Sequence, residues 1–345
     1  MGKFYDGTKL LSMKDINGDR PEIYMTTTNR TGGKTVWFSR YCVKQFLKSG
    51  EKFMIVYRYK NELDDCAGKF FKDIERLFFR GMVMKSKSKA MGAYHELFLD
   101  DKSCGYAVAL NGADKLKKMS HLFSDTTRMF FDEFQSETND YCPNEIEKLI
   151  SIHTSVARGG GEQVRYVPLY MCANPVSLIN PYYVELGIAN RLKSDTKFIK
   201  GEGFVLEQGY VESASEAQRE SGFNRAFAKN KYTMYSGEGL YLNDNLAFIE
   251  KPKGASRYLA TLRYKGCDYA LRSFEVEGVI YCDDKADNTF PNKITVTTED
   301  HNINYVMLRS NDLFISNMRY FFEKGCFRFK NLQCKEAVKI GRAHV

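Results

Sequence analysis

Up to about residue 200, the chain switches repeatedly between the strand period and the helix period. Glu22 to Thr27 is a short β-prone run that feeds a polar, glycine-bearing loop. After that loop, Trp37, Tyr41 and Phe46, with Val43 and Leu47, recur at helical spacing from Val36 to Ser49, and Gly50 supplies the stop. Phe53 to Tyr57 reads as a buried strand, and helical spacing returns between Asp65 and Phe79. A strand-rich stretch follows, with His95 to Leu99 and Tyr106 to Leu110. The apolar run Thr127 to Phe131 ends in Asp132 and Glu133, and Pro143 opens a helix that runs to about Arg158. Val164 to Asn174 is a further strand, and a short helix starts near Pro181. Strands alternating with helices predict a mostly parallel α/β sheet covered by helices on both faces.

From about residue 200 the texture changes to a β-meander, with runs at Tyr258 to Tyr264 and Tyr269 to Tyr281, a strand at Ile294 to Thr298 and a helix from Leu313 to Phe322. The expected organisation is a first domain over 1–197, a linker over 198–205 and a smaller domain over 206–339. No internal repeat or low-complexity segment interrupts it. The last six residues, Ile340 to Val345, read as translated sequencing-adapter sequence rather than native chain, and carry no functional argument.

Composition narrows the class. Apolar residues make up 43% and aromatics 14% of the 345 residues, enough for a sizeable core and against global disorder. Nine cysteines without a CxxC pair argue against a disulfide framework and for a reducing compartment. The histidines stand alone, so no zinc site is legible. No apolar run approaches the roughly 20 residues that span a bilayer, and the N-terminus lacks a signal-peptide pattern. A soluble, cytoplasmic protein is expected. The net charge of +8 is compatible with a phosphate-backbone ligand without requiring one. Lys85, Lys87 and Lys89 form one basic cluster, and Lys115, Lys117 and Lys118 another; each is a candidate phosphate contact or simply a solvated face.

The chemistry concentrates in the first domain. Thr28-Asn29-Arg30-Thr31-Gly32-Gly33-Lys34-Thr35, between a strand and a helix, has the P-loop arrangement, with Thr28 where the full pattern has glycine. Backbone N–H groups from Asn29 to Gly33 and the following helix N-terminus would cradle the phosphates of ATP. Lys34 would reach the β- and γ-phosphates, and the Thr35 hydroxyl would ligate Mg2+. Asp132, at a strand end, is the second candidate magnesium ligand, and Glu133 can accept the proton of attacking water. That adjacent glutamate favours hydrolysis over phosphoryl transfer to a metabolite. Asn174 is a γ-phosphate sensor candidate, although an Asn before Pro175 is also ordinary turn chemistry. Arg158, ahead of Gly159-Gly160-Gly161, is the candidate trans-acting finger, with Arg165 its competitor and Arg30 available in cis.

Thr-Asn-Arg-Thr-Gly-Gly-Lys-Thr, Phe-Phe-Asp-Glu-Phe and Tyr-Met-Cys-Ala-Asn-Pro together resemble the DNA encapsidation ATPases of small tailed phages, relatives of large terminase subunits. The resemblance covers about residues 20–190. It implies a P-loop NTPase domain of the ASCE type, with Lys34 and Thr35 in Walker A, Asp132 and Glu133 in Walker B, Asn174 in the coupling motif and Arg158 in the finger region. It implies a homo-oligomeric ring, a pentamer, docked on the portal of a procapsid in the host cytoplasm and pumping double-stranded DNA. It also implies an α+β RNase H-like second domain. The candidate nuclease carboxylates are Asp268, Glu275, Glu277, Asp283 and Asp284. They show no metal-site pattern, and Glu275 and Glu277 alternate as exposed strand residues do, so a nuclease-inactive domain is expected. The alternatives are a terminase with a live endonuclease, a helicase or remodeller (Asp132-Glu133-Phe134-Gln135 resembles a DExQ box) and a non-catalytic ATP-binding assembly protein.

Overall fold

The computed structural model describes residues 4–138, 140–158, 163–178, 180–188, 191–192, 196–238, 248–295, 297–308 and 312–343. The chain divides into two compact units, Met1–Asn243 and Asp244–Val345. Among the described residues, the first unit is built on nine strands: β1 Ile23–Thr27, β2 Lys52–Tyr57, β3 Met84–Lys89, β4 Tyr94–Leu99, β5 Lys102–Ala109, β6 Thr126–Asp132, β7 Leu169–Ala173, β8 Phe198–Gly201 and β9 Phe204–Gln208. They form one sheet in the order β3-β4-β5-β2-β6-β7-β1-β9-β8. The strands from β5 through β9 in that order pair in parallel. Antiparallel pairing adds β4 and β3 at one edge and β8 at the other.

Side chains on successive strand residues point to opposite faces, and the central strands are apolar on both. Met25, Met54, Phe131 and Met171 belong to one core, while Tyr24, Phe53, Phe130 and Tyr170 belong to the other. Helix Lys34–Ser49 covers the second core with Phe38, Cys42 and Val43. Helix Glu145–Ala157 covers the first with Leu149, Ile152 and Val156. The expected α/β sheet with helices on both faces is therefore present. Phe38 is fully buried and stacks between Phe130 and Tyr170, with centroids at 5.7 and 5.6 Å. Phe38→Ala is expected to destabilise the chain by about 3–5 kcal/mol, read as a lower denaturant midpoint.

Several boundaries differ from the sequence expectation. Residues 198–205 are no linker: β8 and β9 form a hairpin, and β9 pairs in parallel with β1 at Ile23↔Phe204 through Thr27↔Gln208. The first unit then continues through helices Glu212–Glu220, Gly222–Ala226 and Lys231–Glu238. The helical stretch expected over 65–79 is two helices, Lys60–Cys66 and Lys69–Phe78, flanking Gly68. Pro143 does not open its helix; Asn144 caps it in the left-handed region at φ 53°. Of the terminal hexapeptide, Ile340–Ala343 end the helix Leu332–Ala343, and residues 344 and 345 lie outside the described residues.

In the second unit, β10 Arg257–Tyr264, β11 Cys267–Phe274 and β12 Val279–Asp283 form an antiparallel meander. Strands β13 Lys293–Thr295 and β14 Val306–Met307 extend it in parallel beyond β10, and β15 Phe327–Phe329 pairs in parallel with β12. Glu275 and Glu277 do not alternate on a strand. They lie in the turn between β11 and β12, where Gly278 takes φ 64°. Its core joins Leu262, Leu271, Cys282 and Phe329 with Cys334 and Ala337 of the last helix. Among the described residues, no helix is long and apolar enough to cross a membrane.

Candidate active site

Because β1, β2, β6 and β7 run parallel, their C-terminal ends lie along one edge of the sheet, where such folds place ligands. Strand β7 sits between β1 and β6. Asn174, directly after β7, therefore falls between the loop that follows β1 and the carboxylates that follow β6.

The loop over 28–33 closes onto helix Lys34–Ser49 through Gly33, at φ 89°. That left-handed cap favours glycine. Gly33→Ala is expected to cost about 1–2 kcal/mol of stability, the loss of an L side chain in that conformation, read as a lower denaturant midpoint. Thr28, in the place of the missing glycine, has no positive φ, so its backbone does not need one. Its hydroxyl donates to the Asn29 carbonyl at 3.0 Å. A Cβ built on Gly32 would meet that hydroxyl and Val211 Cγ2 at 3.0 Å, so the loop is tightly packed at that glycine. Asn29 anchors the loop from behind: its amide donates to the Val211 carbonyl at 3.0 Å and its carbonyl accepts from the Val211 N–H at 2.9 Å.

Lys34 is buried at 7% exposure, and its Nζ donates to Asn174 Oδ1 at 2.6 Å. Thr35 Oγ1 donates to Asp132 Oδ1 at 3.2 Å. The same carboxylate oxygen accepts the Cys172 thiol at 2.9 Å and the Glu133 N–H at 3.0 Å. Desolvation pushes the Asp132 carboxyl above its ordinary range, against the lowering effects of its donors and of Lys34. Strand β6 ends at Asp132, and Glu133 turns away with φ 57°. Desolvation by the surrounding protein, then the charges of Asp132 and Glu137, push the Glu133 carboxyl up as well, although part of its surface stays open to solvent. A cavity of about 250 Å3 borders Thr35, Asp132 and Glu133 and continues between Tyr57, Arg58 and Phe130.

Lys34, Thr35, Asp132, Glu133 and Asn174, picked from separate stretches of sequence, are thus assembled in one linked set. Arg30 joins its rim through an ion pair with Glu137 at 2.8 Å and lies over the Tyr232 ring. Glu137 also accepts from Tyr235 at 2.9 Å, Tyr232 at 3.2 Å and Asn174 at 3.5 Å. Thr31, exposed at φ 62°, makes its hydroxyl contact with the preceding carbonyl. Arg158 is exposed at the C-terminal end of helix Glu145–Ala157 and joins none of these contacts; residues 159–161 lie outside the described residues. Arg165 is tied back to that helix end, donating to the Val156 carbonyl at 2.7 Å. Gln135 accepts from the N–H groups of Val176 and Ser177, both at 3.0 Å, and so fixes the loop after Asn174. Glu137, Cys172 and Arg58 escaped the sequence reading. The acidic Glu137 sits four residues after Glu133 in a polar turn, the one local signal for it.

The basic clusters lie elsewhere. Lys85 and Lys89 on edge strand β3 pair with Asp101 at 3.3 Å and Glu96 at 3.4 Å. Lys115, Lys117 and Lys118 are exposed in and after helix Ala113–Lys117.

The chain is 26% identical over 333 residues to a DNA packaging protein of Bacillus phage phi29, covering 95% of this chain and 93% of that one. It is 27% identical over 307 residues to a DNA packaging protein of Bacillus phage B103, covering 88% of each. Its fold is similar to that of a chain in the bacteriophage Phi-29 viral genome packaging motor assembly, with a TM-score of 0.73 at 24% identity and full coverage of both chains. Residues 2–342 match the Podovirus DNA encapsidation protein (Gp16) family, and the chain belongs to that family.

Proposed function

We propose that the chain is an ATP-driven motor that moves double-stranded viral DNA into a preformed procapsid. The observation that carries this reading is the linked set Lys34–Asn174 and Thr35–Asp132 with Glu133 beside it. A phosphate-binding loop, a paired hydroxyl and carboxylate, a base and a sensor amide together form a hydrolytic NTP site. The N–H groups from Asn29 to Gly33 and Lys34 hold the phosphates of ATP. Thr35 and Asp132 offer two oxygen donors 3.2 Å apart, and the half-buried carboxylate has only uncharged donors bonded to it, which suits Mg2+. When bound, Mg2+ neutralises charge on the β- and γ-phosphate oxygens.

Glu133 takes a proton from the attacking water as its oxygen bonds to the γ-phosphorus. The bond to the bridging oxygen breaks, and ADP and phosphate leave. Asn174, bound to Lys34, exchanges that partner for the γ-phosphate and so reports hydrolysis to the loop fixed by Gln135. Arg158, exposed at the end of its helix and outside the contacts of its own site, acts on the neighbouring subunit of a ring, a pentamer in the reading drawn from the family. If it does, chains carrying Arg158→Ala and chains carrying Glu133→Gln are each inactive alone, and mixed rings recover partial turnover. No recovery on mixing would contradict a trans role.

In the second unit, an antiparallel meander followed by two parallel strands beyond its first strand supports an RNase H-like fold. Three of its candidate carboxylates are each engaged by other side chains. Asp268 is held by Arg263 at 3.4 Å and Tyr305 at 2.7 Å, Asp283 by Arg272 at 3.2 Å, and Asp284 pairs with Lys330. That supports a docking or DNA-gripping role without cleavage; metal-dependent cutting of DNA by the full chain would overturn it. The helicase reading needs a second P-loop sheet, and this meander does not supply one. Stimulation of hydrolysis by double-stranded rather than single-stranded DNA separates the two readings.

A further inference from the structure

Glu133 holds a backbone conformation that its strand does not provide. At φ 57° it lies in the left-handed region, unfavourable for an L side chain, immediately after β6 ends. Such residues persist where the surroundings over-determine them. The surroundings here are Arg58, the first residue after β2. Its Nη2 donates to the carbonyl of Glu133 at 3.2 Å and to that of Phe134 at 2.9 Å. Its Nε donates to both carboxylate oxygens of Glu145, at 3.2 and 3.0 Å.

The fork is itself held. Glu145 accepts the Tyr182 hydroxyl at 2.6 Å and the Cys142 N–H at 2.9 Å. The Arg58 N–H donates to Glu62 at 2.9 Å, and its guanidinium lies over the rings of Tyr141 and Phe131 at 5.1 and 5.6 Å. Arg58 and Glu145 are 6% and 4% exposed. A planar guanidinium can bind a carboxylate and two carbonyls at once; an ammonium cannot match that fork.

We propose that Arg58, clamped by Glu145 and Tyr182, is a positioning residue for hydrolysis that fixes the turn carrying Glu133. It touches the peptide groups around the base, and leaves the Glu133 carboxylate free to act. This inference rests on Glu133 being the base. Without the fork, the turn relaxes toward an ordinary backbone conformation and the carboxylate shifts. A displacement of about 1 Å in a reacting group costs about 100-fold in rate. The competing reading is a buried ion pair that only staples β2 to the helix Glu145–Ala157.

The test compares full-length wild type with Arg58→Lys, Tyr182→Phe and Glu133→Gln. It measures kcat and KM for ATP, affinity for a non-hydrolysable ATP analogue, and folding by circular dichroism and melting. Arg58→Lys keeps a cation opposite Glu145 but loses the fork. Its kcat is expected to fall about 10- to 100-fold while KM and analogue affinity stay within about threefold, the pattern of an interaction needed in the transition state alone. Tyr182→Phe, which loosens only the clamp on Glu145, is expected to lower kcat about two- to fivefold with KM unchanged. A folded Arg58→Lys chain with wild-type kcat overturns the inference. So does a loss of kcat that merely tracks the unfolded fraction. If Arg58→Lys does not fold, Tyr182→Phe decides, and an unchanged kcat there overturns it. Glu133→Gln separates the two levels: wild-type turnover in that variant removes the base itself, whereas its inactivity beside an unimpaired Arg58→Lys removes only the positioning role.

Discussion

Glu133→Gln is expected to bind ATP normally and to hydrolyse it about 100- to 10,000-fold more slowly, the range that a positioned general base contributes. The substitution keeps the size of the side chain and removes its capacity to take a proton. In the proposed function, phosphate binding rests on other groups: the loop N–H donors, Lys34 with its contact to Asn174, and the Thr35–Asp132 pair. Binding and turnover should therefore come apart. Single-turnover hydrolysis and analogue affinity, measured on the same preparation, check this. Unchanged hydrolysis would remove Glu133 from the role of base, and a parallel loss of affinity would place it in binding instead.

Glu145→Ala is expected to destabilise the first unit by about 3–5 kcal/mol. The two partners, Arg58 and Glu145, have side chains 7% and 2% exposed, and removal of the carboxylate leaves a buried guanidinium without its counter-charge. Tyr182 and the Cys142 N–H lose their acceptor in the same step. The sole tryptophan, Trp37, lies in that unit, so its fluorescence during denaturation reports the relevant transition. A midpoint within experimental error of wild type would show that water or a neighbouring group takes over the pairing. Glu145→Gln should cost less, because its amide oxygen still accepts hydrogen bonds.

The residues legible in the sequence are those whose roles are written locally. A strand, a glycine-bearing loop and Gly33-Lys34-Thr35 ahead of a helix form one short continuous pattern. An apolar run that ends in Asp132 and Glu133 is another, and Asn174 closes a third. Their convergence follows from β7 lying between β1 and β6, an order that no single stretch encodes. Arg58 and Glu145 are 87 positions apart, and Arg30 and Glu137 are 107 apart, so neither pair leaves a periodic trace. Cys172 was hidden for the opposite reason: in an apolar strand a cysteine reads as core, and only the fold brings its thiol to Asp132.

The misplaced domain boundary has the same physical origin. Gly201-Glu202-Gly203 carries the turn chemistry of a linker, but those residues join β8 to β9, and β9 adds to the sheet through its pairing with β1. Local glycine content marks a turn without saying whether the chain leaves the domain there. Helix Glu212–Glu220, with its run of Glu, Ala and Gln, follows ordinary helix propensity. The change of texture assigned to residue 200 belongs further on, since the chain divides between Asn243 and Asp244.

The most direct test of a DNA-translocating ATPase is the steady-state rate of ATP hydrolysis by wild type and Lys34→Ala, each with and without double-stranded DNA. The account predicts wild-type hydrolysis that double-stranded DNA stimulates, and no hydrolysis by Lys34→Ala in either condition. Hydrolysis that survives Lys34→Ala would contradict the assigned site, and Lys34-dependent hydrolysis indifferent to DNA would contradict the motor.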